Sequence, residues 1–332
     1  MKVSIRDVAK KSNVSITTVS RYLNNNYDSM SESTRQHIEK IIRQSGYVYR
    51  PKKKCLNRVG LVLPDIANPF FAQMVSALET SASRRGYEIL LGITGEDFEK
   101  EAALVKRLSE SDAAGIIYMS AVSTTQNCYD YLKENNVSFV ALDSYLDNYT
   151  MPAAVYVDGK KGMYELTLAL IEKGHRDFAY ISGLKYSSFG HSRYQGHINA
   201  LLESGITVNP ELVRFSGFEP GNGAESFLSL RQSGAHFTAV ICENDMIAFG
   251  VADECRKLGL RIPDDLSLTG FDDTNLARYY NPPLTSVNQH LDQQGEKALE
   301  LLIGQINGET PEEKYVVIPP TLALRESVKE LK

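Results

Sequence analysis

The sequence predicts a small all-α domain followed by an α/β core of two doubly wound parallel-sheet lobes. Two textures carry this reading. Apolar residues recur at helical spacing through the first 45 or so positions, and from Val59 onward short apolar runs alternate with longer amphipathic segments. That alternation is the signature of a parallel sheet covered on both faces, and it occurs twice in succession. The 332 residues, 42% hydrophobic and 23% charged, suffice for more than one packed core. No stretch of about 18 apolar residues is present to span a membrane.

The first texture resolves into three short helices. Ile5, Val8 and Ala9 define one, Val19 and Leu23 a second, and Ile38, Ile41 and Ile42 a third. Ser4 is placed to cap the first and Ser15 the second. For the third, Ser33-Thr34-Arg35-Gln36 offers a capping box unless Ser31 is the cap. The break at Ser12-Asn13-Val14-Ser15 suits a tight turn because Asn tolerates the left-handed conformation. Two helices joined so closely form a helix-turn-helix.

In the second texture Val59–Leu63, Glu88–Ile93, Ala114–Met119, Ser138–Leu142 and Ala154–Val157 read as strands, with helices at Phe70–Arg85, Phe98–Ser111 and Gln126–Asn135. The pattern repeats with helices Lys160–Lys173, Ser192–Glu203, Gly223–Gln232 and Asp245–Leu258 between strands Phe178–Ile181, Leu212–Phe215, Ala239–Ile241 and Leu266–Gly270. Helix Asp292–Asn307 and strand Val316–Ile318 are expected to return to the first lobe. The predicted domains are therefore 1–50, a basic linker at 51–58, and a core at 59–332. Within the core, lobe 1 takes about 59–158 and 290–319, and lobe 2 about 159–289 and 320–332.

Charge separates the same parts. Residues 1–58 hold 7 Lys and 6 Arg against 2 Asp and 2 Glu, a net +9, whereas the remainder has 23 basic and 37 acidic side chains, a net −14. A basic module of this kind fits a polyanion, since neutralising phosphates releases counterions. Cys55, Cys128, Cys242 and Cys255 form no C-x-x-C pair, so neither a disulfide framework nor a zinc site is expected. The opening Met1-Lys2-Val3-Ser4-Ile5-Arg6-Asp7 lacks a secretory signal, which predicts a cytoplasmic protein and excludes a secreted sugar receptor.

Asp7-Val8-Ala9, then Val14-Ser15-Ile16-Thr17-Thr18-Val19-Ser20-Arg21-Tyr22-Leu23-Asn24, resembles the helix-turn-helix of the LacI/GalR family of bacterial transcription regulators. Further matches follow in the family's order at Leu63-Pro64-Asp65-Ile66-Ala67-Asn68-Pro69-Phe70-Phe71, Asn244-Asp245, Gly270-Phe271-Asp272-Asp273, Pro282-Pro283-Leu284-Thr285 and Arg325-Glu326-Ser327. The resemblance covers nearly the whole chain and implies a core of periplasmic-binding-protein type I-like architecture. It also implies a repressor that binds a pseudo-palindromic double-stranded DNA operator as a homodimer, with affinity controlled by a small-molecule effector, a sugar or sugar derivative.

The second helix of such a head lies in the major groove with its N-terminal residues at base edges. Val19 and Leu23 face the domain core, which leaves Ile16, Thr17, Ser20 and Arg21 outward. Arg21 can fork to guanine or clamp a phosphate, Thr17 can bond base or phosphate, and Ile16 can sit against a thymine methyl. The resemblance assigns base contacts to the positions of Ile16, Thr17 and Arg21. The alternative for Arg21 is a solvated helix face. Lys2, Lys10, Lys11 and Arg35 are either phosphate contacts or solvated charge. The linker departs from the family: no Ala-Arg-x-Leu occurs in Val48-Tyr49-Arg50-Pro51-Lys52-Lys53-Lys54-Cys55-Leu56-Asn57-Arg58, and Leu56 is either a minor-groove wedge or the first apolar residue of the core.

In doubly wound lobes ligands bind beyond the carboxyl ends of strands. Asp143, Asn244-Asp245 and Asp272-Asp273 follow strands directly, and Arg193 is expected at a helix start. Carboxylates, an amide and a guanidinium beside Phe70, Phe71 and Phe218 suit a polyhydroxylated ligand, because polar groups bond hydroxyls while a ring covers an apolar sugar face. The resemblance implies effector contacts at Asp143, Arg193, Asn244 and Asp272. Each has a structural alternative: Asn244 or Asp245 as a helix cap, Asp273 in an Asx turn, Arg193 paired on the surface. No H-E-x-x-H, nucleophile elbow, P-loop or G-x-G-x-x-G after a strand is found, so no catalytic residues, metal or cofactor are expected. A doubly wound enzyme or a sugar-binding protein without a transcriptional role is the alternative. After Arg325-Glu326-Ser327 no heptad tail follows to join dimers into tetramers.

Overall fold

The computed structural model describes residues 5–23, 30–45, 57–95, 97–119, 125–143, 153–184 and 188–331. The chain divides into two compact units, Met1–Leu56 and Asn57–Lys332.

The first unit contains α1 (Ile5–Lys11), α2 (Ile16–Leu23) and α3 (Glu32–Ser45). Val8, Ala9 and Val19 form its buried centre, packed by Val14, Leu23, Ile41 and Ile42. Helix α1 stops at Asn13, whose φ is 50°. There Val14 N donates to Ala9 O at 3.1 Å and Asn13 N to Lys10 O at 3.4 Å, a Schellman closure that Asn makes in place of Gly. Ser15 Oγ caps α2 by accepting from Thr18 N at 3.0 Å. The cap of α3 is Ser31, whose Oγ accepts from Thr34 N at 3.2 Å, rather than a residue of the Ser33–Gln36 stretch. Ser4, Leu56 and the tri-lysine fall outside the described residues.

The second unit is built on two parallel sheets. In the first, β1 (Arg58–Leu63), β2 (Glu88–Ile93), β3 (Gly115–Tyr118), β4 (Phe139–Leu142), β5 (Ala154–Val157) and β11 (Tyr315–Ile318) lie in the order β11-β5-β4-β3-β1-β2. Its central strands are continuous apolar runs because helices cover both faces. Phe70, Met74 and Leu78 of α4 (Pro69–Arg84) pack with Ala298, Leu299 and Leu302 of α12 (Leu291–Ile306) on one side. Leu104, Val105 and Leu108 of α5 (Phe98–Glu110) pack with Tyr129 and Leu132 of α6 (Thr125–Glu134) on the other.

The second sheet has β6 (Phe178–Ser182), β7 (Val213–Phe215), β8 (Ala239–Cys242) and β9 (Ser267–Thr269) in the order β7-β6-β8-β9. Helices α7 (Gly159–Glu172) and α8 (Ser188–Glu203) cover one face. Helices α9 (Pro220–Gln232) and α10 (Asp245–Lys257) cover the other. The chain passes between the sheets three times, after β5, after β10 (Ser286–Asn288) and between β11 and β12 (Thr321–Ala323). Strands β10 and β12 pair antiparallel, and β10 is tied to the second sheet by bridges Thr269–Thr285 and Asp272–Asn288. These two strands and α11 (Asn275–Tyr279) go beyond the sequence reading, being too short to display a period. Helix α8 begins a turn before the expected Ser192, so Arg193 lies in its second turn instead of at its start. No helix among the described residues is long and apolar enough to cross a membrane.

Candidate functional site

On α2 of the first unit, Val19 is fully buried and Leu23 packs beside it, which rotates the rest of the helix outward. Ile16 is 47% exposed, a high value for a large apolar side chain. Thr17 and Arg21 are exposed and Ser20 is half-buried. Lys10, Lys11 and Arg35 add exposed positive charge on the neighbouring helices. The helix therefore presents an apolar contact, a hydroxyl and a guanidinium along its outer side, the side-chain set that reads base edges in a major groove.

The second candidate site lies in the second unit, at the carboxyl ends of the strands. Arg193 is 7% exposed, and its stem sits against Gly159 at the start of α7. Its guanidinium lies over the ring of buried Phe271, with Cζ 3.9 Å from the ring centroid. Nη1 donates to the Glu243 carbonyl at 2.9 Å and stands 3.9 Å from Asp272 Oδ1. Arg193 Nε is buried with no hydrogen-bond partner among the described residues. Asp272 in turn accepts from Gln289 Nε2 at 2.7 Å. Burial pushes the Asp272 carboxyl well above the usual carboxylate range, against the pull of Arg193.

Asp143 reaches the same place from the first lobe, immediately after β4. Its φ is 45° and that of Asp272 is 115°. Non-glycine residues at positive φ are uncommon, and the costlier ones cluster where a side chain must be aimed. Asp143 Oδ1 is sealed from solvent without a partner among the described residues. Burial raises its pKa to about 6, opposed by the charge of Arg193, so the two groups interact across the lobes. The loop after β9 is held rigidly. Asp245 accepts from Thr274 N and Thr274 Oγ1, both at 2.8 Å, and from Ser286 Oγ at 2.6 Å. Asp273 accepts from Arg325 and from Asn288 Nδ2 at 2.7 Å, so it anchors the C-terminal segment in place of an Asx turn.

Residues 4–49 match the family described as bacterial regulatory proteins, lacI family, and residues 167–328 match the periplasmic binding protein-like domain. The HTH-type transcriptional repressor PurR of Pasteurella multocida (strain Pm70) is 32% identical over 331 residues, which cover 98% of each chain. The chain belongs to the LacI family. Catabolite control protein A of Priestia megaterium is 31% identical over 99% of this chain and 100% of that protein. Among solved structures, the transcriptional regulator CelR in complex with cellobiose superposes with a TM-score of 0.75 at 28% identity, covering 98% of this chain and 100% of that one. This LacI-family chain is thus a DNA-binding transcription regulator under small-molecule control and not an enzyme.

Within that frame the expected cleft residues divide. Arg193 and Asp272 face each other, and Asp143 is brought to them from the opposite lobe. Asn244 commits its side chain to the fold: Oδ1 caps α10 by accepting from Ile247 N at 2.8 Å, and Nδ2 donates to Phe218 O at 3.4 Å. Phe70, expected to cover an apolar ligand face, is 5% exposed and packs in the first lobe's core with Met74 and Leu78. Helix α4 turns it inward because the cap at Asn68 fixes the start of that helix. Phe71, edge-on to Phe70 at 5.2 Å, and Phe218 are half-buried. Sequence reasoning passed over Glu243, Gln289 and Tyr180. Glu243 was findable by the rule that singled out its neighbour Asn244, since it is the first residue after β8.

Proposed function

We propose that this regulator is a homodimeric cytoplasmic repressor of a pseudo-palindromic operator, and that a sugar or sugar derivative bound between its two lobes controls its operator affinity. The observation that carries the effector site is the convergence of Asp143 from one lobe with Arg193 and Asp272 from the other. A ligand bonded to both walls favours one relative arrangement of the lobes, and only such a difference in affinity between states can change DNA occupancy. Arg193 and Asp272 bond ligand hydroxyls directly and Asp143 meets them from across the cleft. Phe71 and Phe218 supply apolar cover, and Asn244 holds the Phe218 segment in place. The cellobiose bound by CelR, a relative of matching fold, supports a carbohydrate.

On the DNA side Arg21 reads a base, Ile16 and Thr17 contact base edges beside it, and Ser20 bonds base or phosphate. A second copy follows from the need to address two half-sites about one helical turn apart. Leu276 and Tyr279 of α11, 50% and 85% exposed, give it an apolar surface to bury. The experiment is anisotropy titration of DNA selected from a random library, with and without the sugars that raise the protein's melting temperature. Sequence-specific binding that shifts with the sugar is expected. Binding that ignores every stabilising sugar would overturn the effector reading.

A further inference from the structure

We propose that Glu243 is a ligand-selecting residue of the cleft, one that accepts a ligand hydrogen through Oε1 and reserves the site for uncharged or amine-bearing polyols while rejecting phosphate esters and sugar acids. This rests on the reading of the cleft as the effector site and narrows the ligand's chemistry.

Position comes first. In the second sheet the chain runs from β6 outward to β7 and returns past β6 to β8, so the strand order reverses between β6 and β8. Ligands of doubly wound sheets bind outside the carboxyl ends of the strands at that reversal. Glu243 bridges it. Its side chain is completely buried, and Oε2 accepts from the Ser182 hydroxyl and from Gly183 N at 2.5 Å, both at the end of β6. Gly183 is required there, because a Cβ would meet the Phe218 ring at 2.1 Å. Oε2 is therefore fixed by the fold, whereas Oε1 is buried with no partner among the described residues. A buried carboxylate oxygen left without a donor is costly, and such an atom at a binding position awaits one from outside.

The surrounding groups set the chemistry of that donor. Arg193 Nη1 is on the Glu243 carbonyl, and Arg193 Nε is unpartnered among the described residues. Asp143 Oδ1 and Gln289 Oε1 are orphaned in the same way, and the Tyr180 hydroxyl, whose titration feels both Glu243 and Arg193, is orphaned too. Acceptors outnumber donors: the one guanidinium faces the carboxyls of Asp143 and Asp272 and spends Nη1 on the Glu243 carbonyl, and Ser182 and Gly183 supply the donors given to the Glu243 carboxylate. A ligand that satisfies this wall brings hydrogens, from hydroxyls or an ammonium. A phosphate or carboxylate would bring more acceptors and like charge into a dry site.

The test is titration calorimetry of the full chain with ribose, glucose, galactose and cellobiose, with the terminal phosphate esters of the monosaccharides, and with glucosamine. For whichever sugar binds, the phosphate ester is expected to be weaker by about 100-fold or more. Glu243→Gln keeps an acceptor for Ser182 and Gly183 but turns a donor toward the ligand, so it should weaken the free sugar about tenfold and narrow the gap to the ester. Glu243→Asp draws the carboxylate back and keeps its charge, so it should weaken the sugar yet preserve rejection of the ester. An ester that binds as tightly as its parent sugar, or affinities unchanged in Glu243→Gln, would overturn the proposal and leave the effector site standing. Silence of the whole panel would overturn the sugar reading itself, and this proposal with it.

Discussion

Asn275, the first residue of α11 in the second lobe, donates its backbone N–H to Gln73 Oε1 on α4 of the first lobe at 3.2 Å. The bond crosses the seam between the lobes beside Asp272. A groove of about 430 Å³ opens there, lined among others by Gln73, Ser76, Asp272, Arg278 and His290. A ligand that changes the angle of the lobes must remake or break this contact. Gln73→Ala is therefore expected to shift ligand affinity by about 0.5–1.5 kcal/mol, the net worth of one hydrogen bond, without touching the ligand. Calorimetry on the variant checks it. An unchanged affinity would show that the seam does not move.

Arg193 is the only cation placed against Asp143 and Asp272 by the described interactions, and it is held by Phe271 and the Glu243 carbonyl. Removing it leaves buried carboxylates without compensation, so Arg193→Ala should abolish the ligand response and lower stability by about 3 kcal/mol. Asp272→Asn keeps shape and hydrogen bonding to Gln289 and should lose the response with a smaller stability change. Thermal melts with and without sugar distinguish the two effects.

Asp143 gives a prediction in pH. Its folded pKa, about 6, lies above the ordinary 3.8, so the stability linked to its proton is complete below about pH 3.8 and is lost as pH rises through 6. Asp143→Asn removes the cost of the buried charge and tolerates the same positive φ. At pH 7.5 the variant should be more stable than the parent by on the order of 1–2 kcal/mol, with the gain vanishing near pH 4. Denaturant titrations at the two pH values check the sign.

Much of this architecture was legible from residue order alone. Val59–Leu63 is a buried central strand as its unbroken apolar run implies, and Asn13 takes the left-handed turn that its position between two helices demands. Asp143, Asn244 and Asp272 were visible as polar residues directly after strands. What was hidden depends on contacts far apart in sequence. The inward turn of Phe70 and the place of Arg193 in the second turn of α8 are decided by helix starts that shift by a residue or a turn, whereas Ser31 and Asn244 take the capping roles that the sequence offered as alternatives. Glu243 itself was findable as the first residue after β8, but its bonds to Ser182 and Gly183 were not, because those partners lie about 60 residues away.

On the head, Arg21→Ala should cost about 1–3 kcal/mol at one base position of each half-site, while removing a phosphate-contacting lysine should weaken all sequences alike and flatten the salt dependence. Competition between selected and random DNA separates these outcomes. Equal weakening of both by Arg21→Ala would remove its base-reading role.

Tyr279 and Leu276 predict the dimer. Tyr279→Asp puts a charge where an apolar surface is to be buried, and it should shift sedimentation toward monomer and weaken operator binding together. A variant that sediments as the parent does would place the interface elsewhere.

On the proposed reading, one polar cluster between two lobes sets the DNA affinity of the helical head. The most direct measurement is operator affinity by anisotropy, parent against Arg193→Ala, with and without the sugar that raises the parent's melting temperature most. A shift of tenfold or more, about 1.4 kcal/mol, is expected in the parent and none in the variant. An equal shift in both proteins, or none in the parent at saturating sugar, would contradict it.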